Sequence, residues 1–364
     1  MILENNVTER LGEKQPVRCS EKLMNDYNEV LKQECLRRDE CLTFLKILGK
    51  GGQGIVYLSE RVGSDLFSRP VAVKVFSPER YETMDSYLEA MQQLAQVAAK
   101  VSCIQHDNLL DVHNWVEQSG IRMMEMEWVD GFDLDQLLNK KFVRKTKENV
   151  SEERFNYINE VVVTEGGKHS RLKPGIAIAI IRECLSALSS LHRHGIIHGD
   201  IKPANIMVKR TGHVKIVDIG SAFEIHNKPA SLTCTPAFAA PEVLNGKIGT
   251  PQSDLASLGY VLIDLLSGSP PFEGKVELCQ LMEAKRSIAQ NLPNILPPEI
   301  VSSELLMKFC HSLVAFDPDE RFPSAEAADL FKEGAASFQR QLVKGDLSSE
   351  YDNEIRLWIE ELDV

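Results

Sequence analysis

The spacing of apolar and polar positions changes along the chain and predicts different elements in different parts of it. Four apolar residues near the N-terminus recur at helical spacing and predict an amphipathic helix over 21–38: Leu23, Tyr27, Val30 and Leu31. From Leu42 to Val129, short apolar runs bounded by glycine and polar residues predict strands. A single helix is expected among them, over 82–102, because that stretch lacks glycine and proline.

The second half of the chain has a different, helical pattern. Its longest apolar stretches predict helices at 175–194, 253–266 and 304–314. A strand-rich segment followed by a helical one predicts an α+β fold with two lobes. We therefore divide the chain into five parts: an N-terminal extension (1–41), an N-lobe (42–130), a C-lobe (131–332) with a charged insertion (139–172), and a C-terminal tail (333–364).

Composition narrows the class of protein. The chain has 364 residues and a net charge of −12, which disfavours nucleic acid and anionic membranes as partners. The most apolar runs, Ile176–Ile181 and Tyr260–Leu266, are shorter than the roughly 20 residues that cross a bilayer. The first ten residues contain two glutamates and no apolar core, which argues against a signal peptide. The eight cysteines lack metal-ligand spacing, and we interpret them as reduced thiols of a cytoplasmic protein.

The glycine cluster of the N-lobe fits a phosphate-binding turn. The sequence 49–54 matches G-x-G-x-x-G through Gly49, Gly51 and Gly54, with Gly52 as a further glycine. A dinucleotide-binding turn would open a helix and have an acidic residue about 20 positions later. Here β-branched and aromatic residues follow, and position 74 is a lysine. The cluster therefore joins two strands, either as a loop over phosphates or as an ordinary hairpin turn.

Four polar side chains at characteristic spacing suggest phosphoryl transfer. In 198–205, Asp200 could orient and deprotonate an attacking hydroxyl, Lys202 could reach a phosphoryl group, and Asn205 could bind a metal ion. Asp218 follows a short strand and precedes Gly220, so it offers a further oxygen ligand of the kind that Mg²⁺ prefers. An aspartate followed by glycine can also be a simple turn.

In its order of motifs, the chain resembles the eukaryotic-type serine/threonine protein kinase family over roughly 42–332. The order is the glycine loop, Lys74 in the strand 71–74, the loop of Asp200, Asp218, and then Ala240-Pro241-Glu242. The resemblance implies a bilobal kinase fold with a β-rich N-lobe and a mainly helical C-lobe. It also implies ATP and Mg²⁺ as cofactors and a protein substrate with a Ser or Thr acceptor.

The resemblance also implies roles for individual residues. Glu89 would pair with Lys74, and Asn205 and Asp218 would hold the metal. The nucleotide would contact the glycine loop, Lys74 and further positions of the N-lobe and its junction with the C-lobe: Val56, Ala72, Met126, Glu127, Val129 and Asp133. Asp254 and Arg321 would be structural, with Arg321 paired to Glu242. Lys202 and Thr235 favour Ser or Thr over Tyr as the acceptor.

Gly199 departs from the family pattern, and two other classes of protein, small-molecule kinases and pseudokinases, are alternatives to the protein kinase interpretation. Gly199 replaces the arginine that usually precedes the catalytic aspartate, so we expect activity that does not depend on activation-loop phosphorylation. His198-Gly199-Asp200 also occurs in small-molecule kinases of the aminoglycoside and choline type, which lack Lys202 and the Ala-Pro-Glu element. A nucleotide-binding pseudokinase scaffold would have lost a residue such as Lys74 or Asp218, and neither is lost.

The C-terminal tail carries an apolar stripe. Four residues fall at i, i+3, i+4 and i+7 and predict one face of a helix: Ile355, Trp358, Ile359 and Leu362. This face either packs on the kinase domain of the same chain or docks a partner or a second copy.

Overall fold

The computed structural model describes residues 9–10, 20–33, 35–36, 41–227, 233–275, 277–343 and 351–362. Up to residue 127 the strands are β1 (Glu9–Arg10), β2 (Cys35–Leu36), β3 (Cys41–Gly51), β4 (Gly54–Val62), β5 (Ser68–Phe76), β6 (Val112–Gln118) and β7 (Ile121–Glu127). The helices of this part are α1 (Glu21–Lys32) and α2 (Met84–Val101).

Beyond residue 127 helices dominate. The strands are β8 (Gly131–Asp133), β9 (Val163–Glu165), β10 (Ser170–Leu172), β11 (Ile196–Ile197), β12 (Ile206–Lys209), β13 (Val214–Ile216), β14 (Phe223–Glu224) and β15 (Thr233–Cys234). The helices are α3 (Leu134–Leu137), α4 (Lys140–Asn149), α5 (Glu152–Val161), α6 (Pro174–Arg193), α7 (Pro241–Leu244), α8 (Pro251–Ser267), α9 (Leu278–Ile295), α10 (Pro298–Val301), α11 (Glu304–Val314), α12 (Ala325–Leu330), α13 (Ala335–Val343) and α14 (Tyr351–Glu361). The predicted bilobal α+β fold is confirmed.

The N-lobe is built on one antiparallel sheet. Its strand order is β2-β3-β4-β5-β7-β6, so β3, β4, β5 and β7 are interior strands. Residues 71–76 of β5 are all buried, which explains why they read as an almost continuous apolar run.

Helix α2 is tied to this sheet at both its start and its buried face. Thr83 and Ser86 form a capping box that fixes the first turn. The hydroxyl of Tyr87, which is buried, donates to the carbonyl of Phe76 at 3.2 Å and accepts from the amide of Arg122 at 2.8 Å. These bonds set where α2 lies beside the catalytic cleft.

The N-terminal helix is shorter than its pattern predicts. Helix α1 ends at Lys32, whereas the expected span was 21–38. Residues Cys35 and Leu36 are instead recruited as a strand against β3, because an unpaired sheet edge offers their backbone hydrogen bonds. The apolar face of α1, with Leu23, Tyr27 and Val30 buried, lies against the N-lobe sheet.

The core of the C-lobe lies around α6, α8 and α11. The residues of α8 from Ser253 to Leu266 are all buried, as expected for a helix that is surrounded by others. Among the described helices, α6 is the one that is long and apolar enough to span a membrane, and 72% of its most apolar window is buried inside the fold. This burial is the pattern of a core helix of a folded domain.

The charged insertion at 139–172 folds into helices and a hairpin. It forms α4, α5 and the hairpin of β9 and β10. The hairpin is fastened to the end of α8, because the amides of Lys168 and His169 both donate to the carbonyl of Gly268. His169 also contacts Asp264 at 2.8 Å.

The tail folds back on this insertion. The indole nitrogen of Trp358 donates to the hydroxyl of Thr146 on α4 at 3.0 Å, and Arg154 on α5 binds Glu361 at 2.7 Å. All four residues of the predicted stripe are at most 2% exposed. Packing within the same chain is therefore confirmed, and the hypothesis of docking through this helix loses the apolar face on which it rested.

Candidate active site

One face of the N-lobe sheet carries the residues expected to contact a nucleotide. In the strand register, Val56 lies opposite Lys74 and Ala72 lies opposite Met126. Cross-strand neighbours and residues two apart on one strand share a face. Val56, Ala72, Lys74 and Met126 are therefore brought together, as the sequence predicted.

The glycine cluster forms the tight turn between β3 and β4. Gly54 has a φ of +141°, and a Cβ there would lie 2.0 Å from the carbonyl oxygen of Val75. Only glycine tolerates both the conformation and the approach. The amide of Ser77 donates to the carbonyl of Gln53 at 2.9 Å, which holds the turn close to the end of β5.

The partner of Lys74 is not the one that the sequence predicted. The ammonium of Lys74 lies 2.5 Å from the carboxylate of Asp218 and donates to the side-chain carbonyl of Gln53 at 2.8 Å. Glu89 is exposed on α2 instead, so the expected Lys74–Glu89 pair is not formed and that assignment is corrected. Asp218 lies at the cleft and supplies the countercharge that the buried ammonium requires.

Gln53 is a site residue that the sequence reasoning missed. Its amide nitrogen donates to the hydroxyl of Ser221 at 2.8 Å, and Ser221 in turn contacts the hydroxyl of Thr233 at 3.0 Å. The side chain therefore joins the glycine turn of the N-lobe to the segment after Asp218. The available signal was a long polar side chain at a variable position of the glycine motif, inside a turn that could reach the cleft.

Asp200 lies at the centre of a buried hydrogen-bonded cluster. One of its carboxylate oxygens accepts from the backbone amide of Thr235 at 2.9 Å and from the hydroxyl of Thr235 at 2.7 Å. The other oxygen lies 3.0 Å from the ammonium of Lys202. Lys202 also donates to the Thr235 hydroxyl at 2.9 Å. Asp200, Lys202 and Thr235 thus form one unit, in which the carboxylate is held in a fixed orientation.

The two predicted metal ligands lie at the ends of two paired strands, since Asn205 directly precedes β12 and Asp218 follows β13. The amide group of Asn205 donates to the backbone carbonyl of Asp200 at 2.8 Å, which leaves its side-chain oxygen as the atom that can bind a cation. The amide of Val217 donates to the carbonyl of Asn205 at 2.9 Å, so the residue before Asp218 is bonded directly to Asn205. The two side chains offer the oxygen atoms that Mg²⁺ prefers.

Asp218 is held as a carboxylate in a strained position. Its φ is +63°, in the left-handed region that non-glycine residues seldom occupy outside functional sites. Burial disfavours its charged form, but Lys74 and the amide of Gly220 outweigh that effect and lower the pKa of Asp218 to about 2. The Asp218 carboxylate is therefore ionised at neutral pH, with Lys74 as its partner.

Helix α8 supports the loop that carries Asp200. The carboxylate of Asp254 accepts from the amides of His198 and Gly199, both at 2.9 Å, and from the ring of His192 at 2.9 Å. Although burial opposes ionisation, these bonds lower the pKa of Asp254. The structural role predicted for Asp254 agrees with these contacts.

A second brace supports Glu242, which lies beyond Thr235 in the segment that follows Asp218. Arg321 and Glu242, both buried, form a bidentate ion pair with distances of 2.7 and 2.9 Å. Ser253 donates to the same carboxylate at 2.8 Å. The pair predicted from the sequence is formed, and it fixes the Ala240-Pro241-Glu242 element against the C-lobe.

Gly199 has a structural reason that the sequence did not reveal. Its φ is +77°, and a Cβ at this position would lie 2.9 Å from the carbonyl oxygen of Ser221. An arginine here would be strained as well as crowded. The backbone conformation of this loop therefore favours glycine over arginine at position 199.

The segment that links the lobes follows β7 and lies beside the sheet face that carries Lys74 and Met126. The amide of Glu127 donates to the carbonyl of Asp111 at 3.0 Å, and its side chain is held by the ammonium of Lys215. The expected contact of the Glu127 backbone with adenine stays a prediction. Val129 follows and is buried. These contacts fix the direction in which the linking segment leaves β7.

Asp133 is placed at the opposite rim of the cleft. One of its oxygens caps α3 by accepting from the amide of Gln136 at 2.8 Å. The expected contact of Asp133 with a ribose hydroxyl stays a prediction. Met207 lies opposite Asp133 in the register of β12 and β8.

Comparison with known proteins agrees with this geometry. The family model described as the protein kinase domain matches residues 42–330. The serine/threonine-protein kinase PrkC of Bacillus subtilis is 27% identical over 290 residues, which are 78% of this chain and 38% of that protein. The probable serine/threonine-protein kinase PknB of Lactococcus lactis is 31% identical over 262 residues, 70% of this chain and 36% of that protein. The serine/threonine-protein kinase PknD of Mycobacterium tuberculosis is 28% identical over 289 residues, 77% of this chain and 37% of that protein.

The chain thus spans less than two fifths of the length of these relatives. The matched region contains the glycine turn, Lys74, Asp200, Asn205 and Asp218, and it ends beyond the brace formed by Arg321. On the extent of this match, the chain belongs to the protein kinase domain family.

Proposed function

We propose that the chain transfers the γ-phosphoryl group of ATP to Ser or Thr hydroxyls of proteins. The observation that carries the proposal is the buried unit of Asp200, Lys202 and Thr235, next to Asn205. A carboxylate held in this way can orient an acceptor hydroxyl and take up its proton. The printed names of the relatives, which are Ser/Thr protein kinases, support the same class of acceptor.

The residues have separate tasks in this proposal. Asp200 holds the acceptor hydroxyl, and Lys202 offers a positive charge to the phosphoryl group as it moves. Lys74 holds the phosphates of the nucleotide on the N-lobe side. Asn205 and Asp218 would bind Mg²⁺, which when bound neutralises phosphate charge.

In the described conformation Lys74 and Asp218 bind each other and Gln53 binds Lys74. A nucleotide must therefore exchange these contacts for its own when it enters the cleft. The phosphates compete for the ammonium of Lys74, and Asp218 is released to bind the metal.

Asp218→Asn should weaken nucleotide binding only when Mg²⁺ is present. The loss of a charged oxygen ligand should raise the Kd for Mg-ATP roughly tenfold to a hundredfold. The Kd for ATP in EDTA should not rise, because the phosphates no longer compete with the Asp218 carboxylate for Lys74. Isothermal titration with and without Mg²⁺ measures both values, and Asp107→Asn on the surface is the matched control. An unchanged Mg²⁺ dependence would contradict the metal role of Asp218.

We also propose that activity does not require phosphorylation of the activation loop, because Gly199 supplies no arginine to read a phosphate. Of the acceptor positions in this loop, Thr235 is already bonded to Asp200, and Thr233 to Ser221. Ser231 lies outside the described residues. Enzyme treated with phosphatase, with the loss of phosphate checked by intact mass, should keep its initial rate within about twofold. A large fall in rate that preincubation with ATP restores would show the opposite.

The class of acceptor is tested by a competition assay. Purified chain is given labelled Mg-ATP with denatured protein, choline and an aminoglycoside, and the label in each fraction is measured. Label in protein alone supports the proposal. Label in a small alcohol would mark a small-molecule kinase, and nucleotide binding without any transfer would mark a pseudokinase.

The cellular location is likewise a proposal. Four cysteines with described side chains form no disulfide, which supports a reducing and hence cytoplasmic setting for this domain: Cys103, Cys184, Cys279 and Cys310.

A further inference from the structure

One lysine of the C-lobe is buried beneath the segment that carries Thr235. Lys285 lies on α9 and is 0% exposed. Its ammonium donates to the backbone carbonyl of Ala237 at 2.7 Å. It also lies 4.0 Å from the ring centroids of both Tyr260 and Phe272, which meet edge to face.

This burial is costly for the stability of the fold. Removal from water lowers the pKa of Lys285 well below its usual value, which shows how unfavourable the position is for the charge. The two aromatic faces and one carbonyl offset part of that cost. An unbranched apolar side chain such as methionine would fill the same slot without any desolvation of charge. Stability alone therefore does not account for a lysine at this position.

The group that Lys285 holds is connected to the catalytic carboxylate. Ala237 lies two residues after Thr235, and the amides of Phe238 and Ala239 both donate to the carbonyl of Thr235 at 2.9 Å. These bonds make 235–239 one tight turn. Thr235 binds Asp200 through both its amide and its hydroxyl. A shift of the Ala237 carbonyl would therefore move Thr235 and change its hydrogen bonds to Asp200.

The other supports of this segment lie farther along the chain. The ion pair of Glu242 and Arg321 anchors its end, and Asp200 anchors its beginning. Between these two anchors, the bond from Lys285 to Ala237 is the described side-chain bond that reaches the turn from α9. Helix α9 thus supports the surface next to Asp200 on which a protein acceptor must lie.

We infer that Lys285 is a positioning residue for the protein acceptor: it fixes the carbonyl of Ala237 and thereby the turn that presents Thr235 to Asp200. The inference rests on the proposed protein kinase activity. Lys285 does not touch the acceptor or the nucleotide, and its effect passes through the backbone of the turn. It belongs to the acceptor side of the site, since the contacts of Lys74 and the glycine turn lie on the other lobe.

The test uses Lys285→Met in the full chain, with Lys308→Met on the exposed face of α11 as the control. We expect kcat/KM for a protein acceptor to fall about tenfold, while the KM for ATP stays within about twofold. The Tm should stay the same or rise, because a buried charge has been removed without a change in volume. A merely structural lysine would give the reverse pattern, with a lower Tm and an unchanged acceptor KM at equal folded fraction, and that result would overturn the inference.

Lys285→Gln provides a second test and covers the case in which the methionine variant does not fold. Glutamine keeps an N–H donor for the Ala237 carbonyl but carries no charge, so kcat/KM for the acceptor should lie between the wild-type and methionine values. If the methionine variant does not fold, a raised acceptor KM with an unchanged KM for ATP in Lys285→Gln supports the inference. Wild-type acceptor kinetics in folded Lys285→Gln and Lys285→Met would overturn it. If the wild-type chain itself transfers no phosphoryl group to protein, the proposed function fails.

Discussion

Asp200→Asn should lower the rate of phosphoryl transfer by at least about 100-fold while nucleotide binding stays nearly intact. The asparagine oxygen can still accept from Thr235, so the loop should keep its shape. The amide nitrogen that replaces the second oxygen faces the ammonium of Lys202 and cannot take up a proton. The acceptor hydroxyl thus loses its base, whereas Lys74 and the metal ligands are untouched.

Single-turnover transfer and equilibrium binding of Mg-ATP measure the two halves of this prediction separately. Asp107→Asn, which changes an exposed carboxylate, should behave as wild type in both assays. A rate for Asp200→Asn within about threefold of wild type would remove Asp200 from the catalytic assignment.

Trp358→Ala should lower the free energy of unfolding by about 3–5 kcal/mol, because a large aromatic side chain leaves a cavity when it is truncated. Trp358 is 1% exposed, and its indole nitrogen is bonded to Thr146. Truncation therefore also leaves the buried hydroxyl of Thr146 without one of its partners. For a chain of this size we expect the Tm to fall by roughly 5 °C.

Glu360→Ala is the matched control, since Glu360 lies on the same helix with its side chain 54% exposed. It should shift the Tm by less than about 1 °C. Differential scanning calorimetry of both variants checks the prediction. If Trp358→Ala kept the wild-type Tm but altered self-association or substrate binding, packing of α14 on its own chain would not be its main role.

The sequence predicts those parts of the site whose residues lie close together along the chain or on paired strands. Asp200 and Asn205 lie on one short loop, so their spacing alone placed them together. The alternation of Val56, Ala72 and Lys74 on paired strands likewise predicts a common face. These features follow from strand geometry and need little knowledge of the tertiary structure.

The partners of long polar side chains could not be predicted in this way. Lys74 binds Asp218 and Gln53 rather than Glu89, because the choice among them depends on where α2 lies relative to the cleft. Spacing along the chain does not carry that information. The left-handed φ of Gly199 is equally invisible in the sequence, since glycine occupies many other conformations.

Tertiary packing also explains the remaining differences. The stripe of Trp358 predicts a buried face but not its partner, which is the insertion at 139–172. That insertion reads as charged and polar because its helices bury few residues, among them Val143 and Ile158. Lys285 gave no signal at all, since a lysine within a helical pattern normally faces water.

The central claim is that this site phosphorylates Ser and Thr residues of proteins through Asp200. Its most direct test is to incubate purified wild-type chain and Asp200→Asn with Mg-ATP and a phosphatase-treated lysate, and to map new phosphorylation sites by mass spectrometry. The account predicts new sites on Ser and Thr but not on Tyr with the wild-type chain, and their loss with Asp200→Asn. The account would be contradicted by new sites on Tyr, or by the same sites with both proteins. It would also be contradicted if the wild-type chain bound Mg-ATP but produced no new sites.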